Sequence, residues 1–315
     1  MIRTGLLGLL FLLLMSISVS SQAIQRLNIT FESAGYTLHG ELIVPVNADS
    51  VPMIIFLAGA GENSSYQTLY KTFVEENLEQ LFLEEGYGLL YFDKRGVGNS
   101  EGKWYRSTMY DRADDTKAAV DFLKTVKAVD ASRIAVVGHS QGGWVAQVVG
   151  ALYPNDVKAT VSLAAPVFST TMHLTNIYYS EFLCEGDSQE KAFEKASKKA
   201  LSDINWVDWF PLKKAWRHLK VISDFDPTSE LRNLNVPSFF VFAENDHMVY
   251  PGWAINSLNE TFPSGIPDNF TLQIIPGANH DFKNAPMCAS EEDSENAPYS
   301  EYFRQVFKSW ILGHL

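Results

Sequence analysis

Residues 134–143 read Ile134-Ala135-Val136-Val137-Gly138-His139-Ser140-Gln141-Gly142-Gly143, and a helix-compatible segment, Trp144 to Leu152, follows at once. An apolar, β-rich run therefore stops at Gly-His-Ser-Gln-Gly and turns directly into a helix. The pattern is G-x-S-x-G, a sharp strand-to-helix turn that lifts a serine hydroxyl above the edge of a sheet. Gly138 and Gly142 stand two residues either side of Ser140, where a β-carbon would crowd so tight a turn. Gly143 lets the helix pack closely. The reading makes Ser140 a nucleophile; the alternative is a structural Gly-rich turn.

Working outward, the strands on either side decide the fold class. Met53 to Leu57 and Gly88 to Phe92 are continuous apolar runs, the mark of strands buried on both faces. Val157 to Leu163, Val236 to Ala243 and Asn269 to Ile275 read as further strands. Helical spacing separates several of them: Tyr66 to Glu85, with Leu69, Phe73, Leu78, Leu81 and Phe82 apolar, and Tyr110 to Val126, with Ala113, Ala119, Val120 and Leu123 on one side. The alternation predicts a mostly parallel α/β sheet with right-handed crossovers. Before it, Arg26 to Val46 reads as an antiparallel hairpin around Ser33-Ala34-Gly35. Tyr299, Phe303, Val306, Trp310 and Ile311 predict a closing helix, and Glu291 to Glu295 before it a solvated loop.

After Ala164-Ala165-Pro166 the alternation stops for about sixty residues, which predicts a helical cap inserted at about 167–230. Asp187, with Glu190 three places on, is a candidate cap for a helix running to about Ile204. Phe193, Ala196, Ala200 and Ile204 would form its apolar face, and Lys191, Lys195, Lys198 and Lys199 a solvated one. Trp206, Trp209, Phe210 and Trp216 follow. An insert here is well placed to roof the Ser140 edge and line a pocket.

The chain has 315 residues, 46% apolar and 20% charged, so it can bury a large core and is not of disordered composition. Its net charge is −12, or −13 without the leader, whose one charge is Arg3. That balance argues against nucleic acid and anionic membrane surfaces as partners. Met1-Ile2-Arg3, the apolar Gly5 to Met15 and the small residues Ser21-Gln22-Ala23 read as a secretory signal over residues 1–23, cleaved after Ala23. The alternative is an uncleaved anchor, for which the apolar run is short. The expected location is periplasmic or secreted, without stable membrane insertion after cleavage. Cys184 and Cys288 are the only cysteines; export would permit a bridge, but spacing alone leaves it open. Neither cysteine has metal-ligand spacing, and no metal or cofactor is expected.

A serine hydroxyl needs a base to take its proton and a third group to orient that base. His280, in Pro276-Gly277-Ala278-Asn279-His280, lies just past the last strand, at the edge that exposes Ser140. His173 and His218 fall in the insert, His247 beside the acid loop and His314 at the chain end, while His139 should point away. Asp246, in Glu244-Asn245-Asp246-His247 after the strand ending at Ala243, is the candidate acid. Glu244 is its nearest rival; Asp224 and Asp226 precede the strand, and Asp281 adjoins the histidine. Two N–H groups should hold a developing oxyanion. Gln141 supplies one; Ala60, in Ala58-Gly59-Ala60-Gly61, is the candidate for the other.

From about Leu27 onward the chain resembles the α/β-hydrolase superfamily. The elbow, the Asp93-Lys94-Arg95-Gly96-Val97-Gly98-Asn99-Ser100 loop, Asp246 and His280 fall in that superfamily's order. Ser33-Ala34-Gly35-Tyr36-Thr37-Leu38-His39-Gly40 followed by Pro45 is similar to exported bacterial esterases and acyl hydrolases of the serine-aminopeptidase-like group. The resemblance implies Ser140 as nucleophile, His280 as base and then acid, and Asp246 as its orienter. It also implies that Asp93 and Arg95 are mainly structural. One departure is Ala58-Gly59, where His-Gly is common before the oxyanion donor. The expected activity is carboxylesterase-type cleavage of a small-molecule acyl ester through an acyl-enzyme. Peptidase activity, with Glu181, Glu185 or Asp187 reading a substrate amine, or thioesterase activity is the first alternative. A catalytically silent binding protein is the second.

Overall fold

The computed structural model describes residues 23–315, so the leader lies outside the described residues except for Ala23. Eight strands form one sheet in the order β1-β2-β4-β3-β5-β6-β7-β8. β1 (Ile24–Ser33) and β2 (Tyr36–Pro45) make the antiparallel hairpin. Ala34 and Gly35 between them both have positive φ, +49° and +79°, the two-residue turn whose twist suits a hairpin. β3 (Val51–Leu57) begins two residues earlier than Met53. β2 is also antiparallel to β4 (Gly88–Phe92), and all other neighbours pair in parallel. The observed sheet is thus the mostly parallel α/β sheet with an antiparallel N-terminal hairpin that the sequence predicts.

The segment predicted as one helix over 66–85 is broken: α1 (Lys71–Val74), a π-helical stretch (Glu75–Glu79) and α2 (Gln80–Phe82). Phe73, Leu78, Leu81 and Phe82 still face inward, but Leu69, in the turn before α1, is 66% exposed. α3 (Met109–Thr125) starts on a capping box, with Thr108 and Asp111 exchanging bonds. β5 (Val129–His139) then carries the chain to the elbow, and α4 begins at Gln141, three residues before Trp144 (Gln141–Leu152). β6 (Ala159–Leu163) follows.

Between β6 and β7 lie four helices: α5 (Thr170–Cys184), α6 (Gln189–Trp209), α7 (Lys214–Ile222) and α8 (Thr228–Asn233). The sequence reading found only α6. Its N-cap is Ser188, not Asp187, which instead pairs with Lys191 and Lys195. Ala196 and Ala200 are buried, whereas Phe193 is 46% exposed. β7 (Ser238–Ala243), α9 (Pro251–Thr261) and β8 (Phe270–Ile275) complete the sheet side of the fold. The acidic stretch expected as a loop forms a short helix, α10 (Glu291–Asn296), because Ser290 caps it and three carboxylates sit in its positive first turn. α11 (Glu301–His314) closes the chain.

The period-2 alternation of β3 divides the core. Ile54 and Phe56 pack with α1, α2 and α11, while Met53, Ile55 and Leu57 pack with α3 and α4. All five are at most 4% exposed, each burial worth roughly 1.5–3 kcal/mol. Cys184 and Cys288 are joined in a disulfide, so the end of α5 is tied to the loop that follows His280.

Candidate active site

The parallel strands place their carboxyl ends together. Leu57 pairs with Gly138, His139 with Leu163, and Ala243 with Ile275, so the loops carrying Ala60, Ser140, Asp246 and His280 leave one edge of the sheet. Ser140 has φ +53° and ψ −124°, a conformation that costs a non-glycine residue of order 1–3 kcal/mol. The turn around it tolerates no side chains. A β-carbon at Gly138 would lie 2.0 Å from the Gly142 carbonyl oxygen, and one at Gly142 would lie 2.1 Å from that of Leu57.

Asp246 is fully buried and His280 nearly so. The His280 Nδ1 lies 2.8 Å from Asp246 Oδ2 and 3.0 Å from Oδ1. Oδ1 also accepts from the N–H groups of Met248 and Val249, at 2.7 and 2.8 Å, which locks the carboxylate. Burial works against a charged His280, but the charge and hydrogen bond of Asp246, aided by Asp281, outweigh it and raise the imidazole pKa above 6.5. Glu244, the rival acid, accepts from Gly277 N–H at 2.7 Å and so shapes the turn that carries the histidine.

Ser140, His280 and Ala60 line one cavity of about 600 Å³, with Leu69, Tyr70 and Met248 among its other walls. No hydrogen bond joins Ser140 Oγ to His280 among the described residues; such contacts commonly tighten only when substrate is bound. The Gln141 N–H is in the first turn of α4, where no carbonyl four residues back belongs to the helix. No residue of 167–230 lines this cavity. The cap therefore does not roof it as expected, and Trp206, Trp209 and Phe210 are 53%, 80% and 50% exposed. The cap meets the elbow elsewhere, through His218 on α7, whose Nε2 bonds the Gln141 side chain. A larger cleft, about 810 Å³ between the cap and α9, contains neither Ser140 nor His280.

The remaining sequence candidates take other roles. His173 is half-buried against Trp144, its pKa pushed down to about 4 chiefly by desolvation. His247 lies 6.3 Å from the His280 ring and shares the cavity wall. His314 stacks on Trp310, and Asp226 caps Thr228. Asp187 is taken by its lysines, and neither Glu181 nor Glu185 reaches the cavity wall. Arg95 grips Asp115 and Asp111, and Asp93 accepts from Ser65, so this loop is held as scaffolding.

Three residues that support the site carried no sequence signal. Arg112, buried without a hydrogen-bonded carboxylate, donates to the Ala58 carbonyl at 2.6 Å and to Gln141 Oε1 at 2.9 Å. Burial lowers its pKa to about 10. Lys94 reaches the Gly59 carbonyl from the same side. Tyr70 accepts from the Gly59 N–H at 2.9 Å. The backbone presenting Ala60 is thus clamped on both sides.

Sheet order, elbow and loop placement define an α/β-hydrolase. The chain belongs to the X-Pro dipeptidyl-peptidase (S15) family, which it matches over residues 34–204. It is 38% identical over 86 residues to the bifunctional esterase/perhydrolase DCH of Acinetobacter calcoaceticus, covering 27% of this chain and 29% of that protein. It is 21% identical over 223 residues to esterase EstD of Thermotoga maritima, covering 70% of this chain and 53% of the relative. The chain thus spans about half or less of the length of these curated relatives. Among solved structures, the acetyl xylan esterase from Paenibacillus sp. R4 superposes with a TM-score of 0.61 at 15% identity, covering 95% of this chain and 86% of that one.

Proposed function

We propose that this chain is a carboxylesterase-type serine hydrolase that works through an acyl-enzyme. Ser140 attacks the ester carbonyl while His280 takes its proton, and Asp246 holds the imidazole in the reactive tautomer. The N–H groups of Gln141 and Ala60 hold the oxyanion. His280 then protonates the leaving alcohol and activates water for deacylation. The observation that carries this reading is a buried Asp246–His280 pair whose histidine shares a cavity with a serine in a strained turn. The esterases among the relatives favour a small-molecule ester, and a cavity of about 600 Å³ suits a small or medium acyl group.

Fluorophosphonate labelling with mass spectrometry tests it: the adduct belongs on Ser140, and an unlabelled folded protein would overturn the assignment. Membership of the S15 family favours a second reading, amide hydrolysis that releases a dipeptide from the amino terminus of a peptide. Rates on p-nitrophenyl esters against Xaa-Pro p-nitroanilides separate the two. The candidate amine-reading carboxylates Glu181, Glu185 and Asp187 lie off the cavity wall, which favours the ester.

We also infer export. The leader over residues 1–23 and a Cys184–Cys288 disulfide suit an oxidising compartment. N-terminal sequencing of the mature protein should begin after Ala23; a retained leader would count against cleavage.

A further inference from the structure

His139 precedes the elbow serine and, contrary to the expectation that it points away, lines the same cavity, its ring reaching into a buried junction of three loops. Its Nε2 lies 2.9 Å from the backbone carbonyl oxygen of His280. A carbonyl only accepts, so Nε2 carries the hydrogen. Its Nδ1 lies 2.8 Å from the Tyr70 hydroxyl. A neutral ring with hydrogen on Nε2 has a bare Nδ1, so Tyr70 donates there. The same hydroxyl oxygen accepts the Gly59 N–H at 2.9 Å. The result is a chain with one direction: Gly59 N–H to Tyr70, Tyr70 O–H to His139, His139 Nε2–H to the His280 carbonyl.

Its members are all buried, and its ends are the two loops whose spacing matters most. Gly59 adjoins Ala60, the second oxyanion donor, and the far end is the backbone of the proposed base. Glycine is required at the first link: a β-carbon at Gly59 would lie 2.5 Å from the Tyr70 hydroxyl and 3.2 Å from the Ser140 β-carbon. Burial, then the neighbouring His280, holds the His139 pKa down to about 4, so the ring stays neutral where an esterase works. Asp281 is the carboxylate facing it, 3.9 Å from Nε2 and well exposed.

We infer that His139 is a positioning residue, which together with Tyr70 fixes the base loop against the oxyanion loop on either side of Ser140. The inference rests on the proposed roles of Ser140, His280 and Ala60. A displacement of about 1 Å between reacting groups costs on the order of 100-fold in rate. Tyr70→Phe and His139→Leu should therefore each lower kcat by roughly 10- to 100-fold while KM moves less than about threefold. The double variant should be no worse than the weaker single, because both cut one chain. His139→Gln, which keeps an N–H near the Nε2 position, should recover most of the loss. A purely structural role would lower the melting temperature and leave kcat of the folded protein unchanged, and that result would overturn the inference.

Nitrogen NMR of histidine-labelled wild-type protein gives a readout independent of turnover. The His139 ring should show hydrogen on Nε2 only, down to about pH 5. Hydrogen on Nδ1 would refute the chain. If the tautomer is as stated but Ser140 fails to react with fluorophosphonate, the proposed catalytic roles fall, and the positioning role falls with them while the bonds stand.

Discussion

Asp246 gives both carboxylate oxygens to the Nδ1 edge of His280 and, at 0% exposure, has no solvent to share them with. The imidazolium is therefore favoured, and the pKa of His280 lies above 6.5. A base must be neutral, so kcat/KM for an ester should rise with pH through that raised pKa and level off above it. Asp246→Asn removes the charge, should move the inflection to lower pH and should cut kcat by on the order of 10⁴. A pH–rate series on both proteins checks the sign. An inflection moving upward in the variant would contradict the pairing.

Backbone strain at Ser140 makes a separate claim on stability. Ser140→Gly and Ser140→Ala both remove the hydroxyl and should both abolish turnover. Only glycine relaxes φ +53°, ψ −124° without a β-carbon, so it should be about 1 kcal/mol more stable than the alanine variant. Urea unfolding of the pair measures this difference.

Gly142 allows the start of α4 to approach β3. An alanine there would place its β-carbon 2.1 Å from the Leu57 carbonyl oxygen, which is backbone and cannot swing aside. Gly142→Ala should cost about 3 kcal/mol or more, and much of the expressed protein should be insoluble. A soluble variant with an unchanged melting temperature would show that the elbow can open.

Arg112 reaches Ala58 and Gln141, the loop and the helix that would each supply an oxyanion donor. Arg112→Met fills similar space without hydrogen bonding. It should lose roughly 2–3 kcal/mol of stability from unpaired buried acceptors. It should also lower kcat more than it raises KM, since the oxyanion exists only at the transition state. Steady-state kinetics beside an unfolding curve distinguishes the two losses.

The strands were readable because each is a short apolar run ended by turn residues, and β4 falls on Gly88–Phe92 as the sequence predicts. The order serine, aspartate, histidine was readable because each follows a strand and so shares its carboxyl edge. α5 was not, because its buried positions include Thr175, Asn176 and Ser180, which leave no apolar stripe. α9 went unread behind Pro251 and Gly252, though proline suits a first helical turn. Asp187 and Ser188 are neighbouring cap types, and composition does not choose between them. The supports of the site were the least legible: Tyr70 and His139 are 69 positions apart and meet only through side chains.

The Cys184–Cys288 bond closes the chain into a covalent ring across a separation of 104 positions. Asp246 and His280 lie inside that ring, and Ser140 lies outside it. An exposed stretch within the ring, Trp209 to Leu212, offers a protease an easy cut. One cut there opens the circle without releasing a piece. The molecule should run as a single band on a non-reducing gel and as two once thiol is added, with serine on one fragment and aspartate and histidine on the other.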